Sequence, residues 1–418
     1  MTAFTVETGL ALPGPAWLRD ARVAAAGRLE DAAWPTSAAE EWRYSRIDSF
    51  DPDRYAFAPR PTAPPAFADG ELVAAAGDAF ARLETLDGWV QGAEGPVRVL
   101  SGEEAGQEVR LGEIAGEPDR FTLMSTAFAP DPAVIEVAAG EPRRVLVVHR
   151  FSADGVVAFP RVLLRADEGA EVSVVEIVTG TAHALAVPVT EIDVAPAARV
   201  SWLQVQALGG EAWQLALQAS RVGRDASFSS AAVAFGGDYA RVRTDSHLTG
   251  VGASSRLVAM YFGAGTQTQD FRTVQRHAAE KTTSNLLYKG VVANRARSVY
   301  SGLIRVEKGA RGTNAFQTNR NLVLHEGAHA DSVPNLEIED NDVRCSHASA
   351  VGPISEDERF YLESRGVPPE VAARLISLGF LGEVVESLPV PSVAQWVRSA
   401  LAAKLARAEE DESRGGRR

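Results

Sequence analysis

The stretches Val172-Ser-Val-Val-Glu-Ile177 and Arg199-Val-Ser-Trp-Leu-Gln-Val205 decide the fold class of this chain. Each alternates apolar and polar residues, the period-2 pattern of a β-strand. Pairs of small or turn-forming residues recur near these strands every 27–28 positions: Gly169-Ala170, Ala197-Ala198, Asp225-Ala226 and Gly252-Ala253. A strand-and-turn unit at a fixed period predicts a β-solenoid, in which each coil stacks on the last. On spacing alone, a β-sandwich is the alternative.

The same pattern continues on both sides of these stretches. Val145–Val148 and Arg161–Arg165 are further short strands upstream, and Gly309-Ala310 and Gly327-Ala328 are further turn pairs downstream. No helical pattern of ten residues interrupts the region, which excludes an alternating α/β sheet. The sequence therefore predicts a mainly β protein whose solenoid core spans residues 133–353.

The chain before this core has a different pattern. Residues 1–60 are expected to be helical, with Ser37-Ala-Ala-Glu40 as a capping box. A proline-rich linker at 59–65 opens a mixed segment that we assign to residues 61–132. The helical spacing near the start is carried by four apolar residues: Trp17, Leu18, Ala21 and Ala25.

The helical period returns after the core, over residues 354–408. One helix is expected from a capping box at Ser355–Glu358 to Gly366, and a second from Pro368-Pro369 to about Gly379. Ser392 is expected to cap a third helix, whose stripe either packs against its own domain or docks a partner. The stripe consists of Val393, Val397, Ala400, Leu401 and Leu405. A charged tail at 409–418 is predicted to be disordered.

Composition limits the function classes. The chain has 418 residues, of which 45% are hydrophobic and 23% charged, as in ordinary globular proteins. Its net charge of −13 argues against a nucleic-acid partner, which requires a basic surface. There is no apolar run of about 18 residues, no secretory pattern at the start and no P-loop for ATP. A single cysteine, Cys345, excludes an internal disulfide framework and favours a cytoplasmic location.

His325-Glu326-Gly327-Ala328-His329 matches the H-E-x-x-H motif of zinc peptidases. That motif requires a helix, so that both imidazoles share one face. Here a turn pair splits the motif between two expected strands. We therefore interpret it as a chance match, and a zinc-dependent hydrolase stays an alternative function.

Cys345-Ser346-His347 is the second candidate site. Strand alternation places Cys345 and His347 on one face, and a thiolate with an imidazole suits iron or zinc. A buried cysteine beside a hydrogen-bonded histidine is the purely structural alternative. Two ligands cannot close a tetrahedral site, so a metal here requires ligands from another chain or a small molecule.

Several long strings resemble the SufB/SufD family of iron–sulfur cluster assembly proteins. The short start of the chain, with Trp42-Arg-Tyr44, is similar to the SufD branch in particular. One departure is Ala348-Ser349, where family members often have Gly-Ala. The strings that carry the resemblance are Asp270–His277, Thr283–Gly290, Tyr300–Gly302, Gly312–Asn321, Pro334–Ile338, Asp342–His347 and Phe360–Gly366.

The resemblance implies a right-handed parallel β-helix flanked by helical regions. It also implies a non-catalytic scaffold that works with a SufB-like paralogue and a SufC-like ATPase and shares a transient iron–sulfur cluster with the paralogue. His347 is then a cluster ligand, with Cys345 beside it. The helices after Ser355, including Phe360, Tyr361 and Leu401, are then expected to dock the ATPase.

Three points stay open at the level of sequence. The isolated chain can form a homodimer instead of the heteromeric complex. ATP-driven movement of the C-terminal helices is a hypothetical way to open the shared site. Besides the zinc-dependent hydrolase, a β-helix polysaccharide-active enzyme would share the fold, but it would normally be exported.

Overall fold

A computed structural model describes residues 4–62, 67–102 and 109–415, the last three without their side chains. The helices are α1 Val6–Leu10, α2 Ala16–Asp31, α3 Gly70–Ala76, α4 Arg120–Phe128, α5 Glu356–Glu363, α6 Pro369–Glu386 and α7 Pro391–Gly415. Short 3-10 turns lie at Glu40–Trp42, Ile47–Ser49 and Pro52–Arg54. No helix in these described ranges is long and apolar enough to cross a membrane.

The strands alternate along the chain between two main sheets. In chain order they are β1 Ala56–Phe57, β2 Ala81–Leu86, β3 Trp89–Glu94, β4 Val97–Val99, β5 Ala133–Val137, β6 Arg143–Phe151, β7 Val156–Ala158, β8 Arg161–Ala166, β9 Glu171–Gly180, β10 Leu185–Ala186 and β11 Val189–Val194. They continue as β12 Arg199–Leu208, β13 Trp213–Val222, β14 Ser227–Ala234, β15 Tyr239–Leu248, β16 Ser254–Gly263, β17 Thr268–His277, β18 Thr283–Val292, β19 Arg297–Val306, β20 Thr313–Val323, β21 His329–Ile338 and β22 Val343–Gly352.

Successive coils stack as two parallel ladders. Sheet A follows the order β21-β19-β17-β15-β13-β11-β8-β5-β4, and sheet B the order β22-β20-β18-β16-β14-β12-β9-β6-β2-β3. Every pairing between β5 and β21 in sheet A, and between β6 and β22 in sheet B, is parallel and in register. The predicted mainly β solenoid with flanking helices is confirmed.

The small-residue pairs make the turns, as predicted. Gly169, Ala197, Asp225 and Gly252 have φ of 72°, 58°, 54° and 74°, in the left-handed region that a tight turn requires. The alanine after each of them is buried, with 0–1% of its surface exposed. The spacing of 27–28 residues therefore arises because each coil has one left-handed turn residue followed by one alanine whose methyl group is buried.

Inward side chains fill a continuous lumen between the two sheets, with Trp202, Phe271 and Tyr288 among them. The outer face of sheet B is also apolar, and α3, α6 and α7 cover it, with Leu381 and Leu401 in the shared cluster. Burial on both faces explains why many strands read as nearly continuous apolar runs.

The two ends of the solenoid differ. At the N-terminal end, β3 pairs antiparallel with β2, and β4 pairs antiparallel with β5, so each ladder ends on a reversed strand. Val90 and Val97 of these strands pack against the lumen core and cap it. At the C-terminal end, β21 and β22 are the outermost strands, and no other strand of the described ranges pairs with their free edges. We call this the open end.

The N-terminal region corrects one prediction. Ser37 caps no helix: its backbone amide and hydroxyl both donate to Asp48, and the residues around Glu40 form only a 3-10 turn. Residues 32–60 are therefore mostly irregular rather than helical. Part of the predicted proline-rich linker lies outside the described residues.

The C-terminal region corrects two more predictions. Helix α6 continues past Gly379 to Glu386, because burial of Leu381, Val384 and Val385 outweighs a glycine cost of about 1 kcal/mol. Helix α7 continues to Gly415, so the predicted disordered tail is helical as far as it is described.

Candidate functional site

Cys345 and His347 lie on β22, the last strand of sheet B. In the parallel register, Ala315 pairs with Cys345 and Gln317 pairs with His347. We call residues paired in register on successive strands a column. Both columns run inside the lumen, since Ala315 and Gln317 are 0% and 1% exposed. The two residues therefore share a face, as predicted, and that face is the end of the lumen.

His347 is exposed at the open end. Neither of its ring nitrogens has a hydrogen-bond partner within the ranges that the structure describes. A neutral imidazole with a free nitrogen can donate a lone pair to a metal. The purely structural alternative requires a hydrogen-bonded histidine, and His347 does not meet that requirement among the described residues.

Cys345 is half-buried and packs against a small apolar cluster that contains Ile304, Val306 and Leu336. This burial raises the pKa of the Cys345 thiol, and a hydrogen bond from the backbone of Ala315 opposes the shift only in part. The thiol form is therefore favoured in the isolated chain, although the thiolate is the form that binds metals. Cys345 is a weaker candidate ligand than His347.

The site is incomplete within one chain. Over the described ranges, no group of three or more His, Cys, Asp or Glu side chains is arranged to hold a metal ion. A metal at His347 would therefore need further ligands from another chain or a small molecule.

The H-E-x-x-H segment is not helical. His325 lies in a turn, and His329 begins β21. His325 Nδ1 accepts a hydrogen bond from the backbone amide of Asn294 at 2.7 Å, and His329 Nε2 lies 3.1 Å from a carboxylate oxygen of Asp331. The structure therefore separates the two imidazoles that a zinc peptidase brings together on one helix face.

Helix α5 is the most exposed part of the C-terminal region. It has no buried residue, and Phe360 and Tyr361 are 72% and 57% exposed. A cleft of about 830 Å³ lies between α5 and α6. Among its lining residues are Leu322, Pro353, Tyr361, Leu362, Ile376 and Phe380.

Leu401 does not belong to this surface, which corrects our expectation of a docking role. It is 1% exposed and lies in the cluster between α7 and sheet B. The stripe on α7 is internal packing, because the outer face of sheet B is itself apolar and needs a cover.

Sequence reasoning missed two features. Ile338 and Val351 are 43% and 45% exposed at the open end, although they continue columns that are buried at Val306 and Asn321. Leu375 of α6 is 47% exposed. The alternation of the strands could have predicted Ile338 and Val351, since both fall on inward positions of the last two strands.

Comparison with known proteins is consistent with this architecture. Residues 149–380 match the family described as "SUF system FeS cluster assembly, SufBD core domain". An iron–sulfur cluster assembly SufBD family protein of Mycobacterium tuberculosis is 35% identical over 316 residues, which cover 72% of this chain and 78% of the relative. The SufD proteins of Bacillus subtilis and Escherichia coli are 36% and 33% identical, over 38% and 43% of this chain and 36% and 43% of their own lengths.

Proposed function

Because the chain belongs to the SufB/SufD family of iron–sulfur cluster assembly proteins, we propose that it is a non-catalytic scaffold subunit. Its open end holds a nascent cluster jointly with a paralogous β-helix partner. The observation that carries this proposal is an exposed imidazole at the open end of the solenoid, without a hydrogen-bond partner among the described residues.

The open end suits a β-helix partner. The free edges of β21 and β22 present unpaired backbone groups, which native proteins normally cover. Ile338 and Val351 add exposed apolar surface where the lumen ends. A second β-helix can satisfy both needs by extending the sheets and covering the lumen.

The cluster is cargo in this proposal. His347 supplies one imidazole ligand, and the remaining ligands come from the partner, since this chain has one cysteine and its pKa is raised. Cys345 becomes a ligand only if the metal itself or partner charges lower that pKa. Otherwise it contributes packing beneath the site.

The partner ATPase is proposed to dock on α5 and the adjoining cleft. Exposed aromatic side chains such as Phe360 and Tyr361 are typical anchors of protein interfaces. Pro353, Ile354 and Ser355 alone connect β22 to α5. A force on α5 would therefore reach the strand that carries His347, which supports nucleotide-driven opening of the site. Crosslinks between the two β-helix subunits that do not change with nucleotide would contradict this opening.

Co-expression of the tagged chain with its genomic neighbours tests the assembly, and reconstitution of the cluster tests the site. We expect His347→Ala to keep the complex together and to lose the iron–sulfur chromophore. His329→Ala is the matched control, since His329 is an exposed histidine on the neighbouring strand β21. Full cluster content in the His347 variant would refute the ligand role, and a chain that retains no partner would refute the assembly.

A further inference from the structure

The side chain directly beneath His347 belongs to Gln317, one strand earlier in the same lumen column. Paired residues of a parallel ladder point the same way and lie about 4.8 Å apart along the column. Gln317 is 1% exposed, whereas His347 is exposed. The imidazole is therefore the outermost member of its column, and Gln317 forms the surface below it.

The Gln317 amide is fixed at both ends. Its Oε1 accepts a hydrogen bond from the Tyr300 hydroxyl at 3.0 Å, and its Nε2 donates to the backbone oxygen of Asn335 at 3.1 Å. Tyr300 is fully buried, and its hydroxyl also lies 3.2 Å from Thr273 Oγ1. These bonds join sheet B to sheet A across the mouth of the lumen and hold the amide from both of its ends.

Gly302 makes room for this arrangement. A Cβ at that position would lie 2.1 Å from the Tyr300 hydroxyl oxygen and 2.5 Å from Gln317 Oε1. Any larger residue would push the tyrosine or the glutamine out of place. The three residues thus form a rigid floor under the site, made of Tyr300, Gly302 and Gln317.

We propose that Gln317, held by Tyr300, is a positioning residue for His347. It keeps the imidazole at the mouth of the lumen, where a partner's ligands can reach the same cluster. Without the floor, the ring can fold into the vacated lumen, since burying its apolar surface is favourable. This inference rests on the proposed function, because positioning matters only if His347 binds the cluster.

The test compares two lumen glutamines. Gln317→Ala removes the floor, and Gln317→Met keeps much of its volume without the amide bonds. Gln275→Ala controls for the loss of side-chain volume, because Gln275 is also an inward, 0% exposed glutamine and lies in sheet A, away from the His347 column. Its amide atoms have no hydrogen-bond partner within the described residues. All variants are made in the full chain. Histidine-selective isotope labelling follows the imidazole of His347, which His347→Ala assigns among the 7 histidines.

We expect Gln317→Ala to shift the imidazole resonances of His347 and to lower cluster retention in the reconstituted complex on the order of tenfold, as for other outer-shell partners of metal ligands. Gln317→Met is expected to shift the resonances less, and Gln275→Ala to leave both readouts unchanged. If Gln317→Ala and Gln275→Ala give the same imidazole resonances, the positioning role is wrong. Full cluster content in His347→Ala would instead refute the ligand role, while the resonances would still report on the floor.

Discussion

At the scale of single residues, His277 shows how a titratable side chain inside the lumen is hydrogen-bonded by its neighbours. His277 is 0% exposed, and its two ring nitrogens lie 2.8 and 2.9 Å from the hydroxyls of Thr282 and Ser284. Burial lowers the pKa of His277 from 6.5 to about 4. The folded protein therefore holds this histidine neutral at pH values where an unfolded chain protonates it.

This shift predicts acid sensitivity. Because the folded pKa lies below the unfolded one, stability is full above pH 6.5 and is lost as pH falls, by about 1.4 kcal/mol per unit. His277→Asn cannot be protonated, so the stability advantage of the wild type over this variant is expected to shrink by about 2 kcal/mol between pH 7 and pH 5. Urea unfolding at both pH values measures it.

The control for this measurement is His329→Asn, because the side chain of His329 is 60% exposed. It is expected to keep the pH dependence of the wild type. An advantage of wild type over His277→Asn that is the same at pH 5 and pH 7 would show that His277 is not held neutral.

At the scale of secondary-structure elements, the strands and their turns could be predicted because each carries its own local signal. Alternation in Val172–Ile177 and the left-handed turn residues at a fixed period report a property of a few neighbouring residues. The end of α6 could not be read in this way, since Gly379 favours termination locally and only the contact of Leu381 with sheet B overrides it.

The candidate site shows the same limit. Alternation placed Cys345 and His347 on one face, but only the stacked register shows that this face ends the lumen above Gln317. For Leu401, the sequence analysis predicted the wrong role. An apolar stripe looks the same whether a partner or the chain's own sheet covers it, so the sequence could not decide.

Helix α7 is held on sheet B by a half-buried lysine. Lys404 Nζ donates to the backbone oxygens of Phe235 and Phe262 and to Gln267 Oε1. We expect Lys404→Met to lower the free energy of unfolding by on the order of 2–3 kcal/mol, because the three hydrogen bonds that Lys404 Nζ donates are lost. Chemical denaturation measures the loss. Lys308→Met, at an exposed lysine, is the control, and equal effects of the two substitutions would contradict the anchoring role.

Unlike α7, helix α5 has no buried residue and does not pack into the core. We expect Phe360→Ala combined with Tyr361→Ala to leave the melting temperature unchanged and to weaken binding of the partner ATPase by on the order of tenfold or more. Phe80→Ala is the control, because Phe80 is 43% exposed but lies just before β2, near the capped end. ATPase binding that survives the double substitution, measured by calorimetry, would place the docking surface elsewhere.

At the scale of the whole molecule, the two ends of the solenoid differ. At the start, each ladder ends on a reversed strand, and Val90 of β3 and Val97 of β4 pack against the lumen core. At the open end, β21 and β22 leave two edges and the apolar side chains of Ile338 and Val351 uncovered. One capped end and one open end favour closed pairs of subunits over filaments.

This asymmetry predicts that the isolated chain pairs with itself when the paralogue is absent, through the surface that the paralogue would cover. A lysine at Val351 would place a charge in that contact, and desolvating an unpaired charge is costly. We therefore expect the wild type to sediment as a dimer at micromolar concentration and Val351→Lys to sediment as a monomer with the same melting temperature. Val251→Lys is the matched control, because Val251 is 46% exposed against 45% for Val351 but lies on a turn at the side of the solenoid. If the wild type stays monomeric, or if both lysine variants dissociate equally, the open end is not the surface through which the chain assembles.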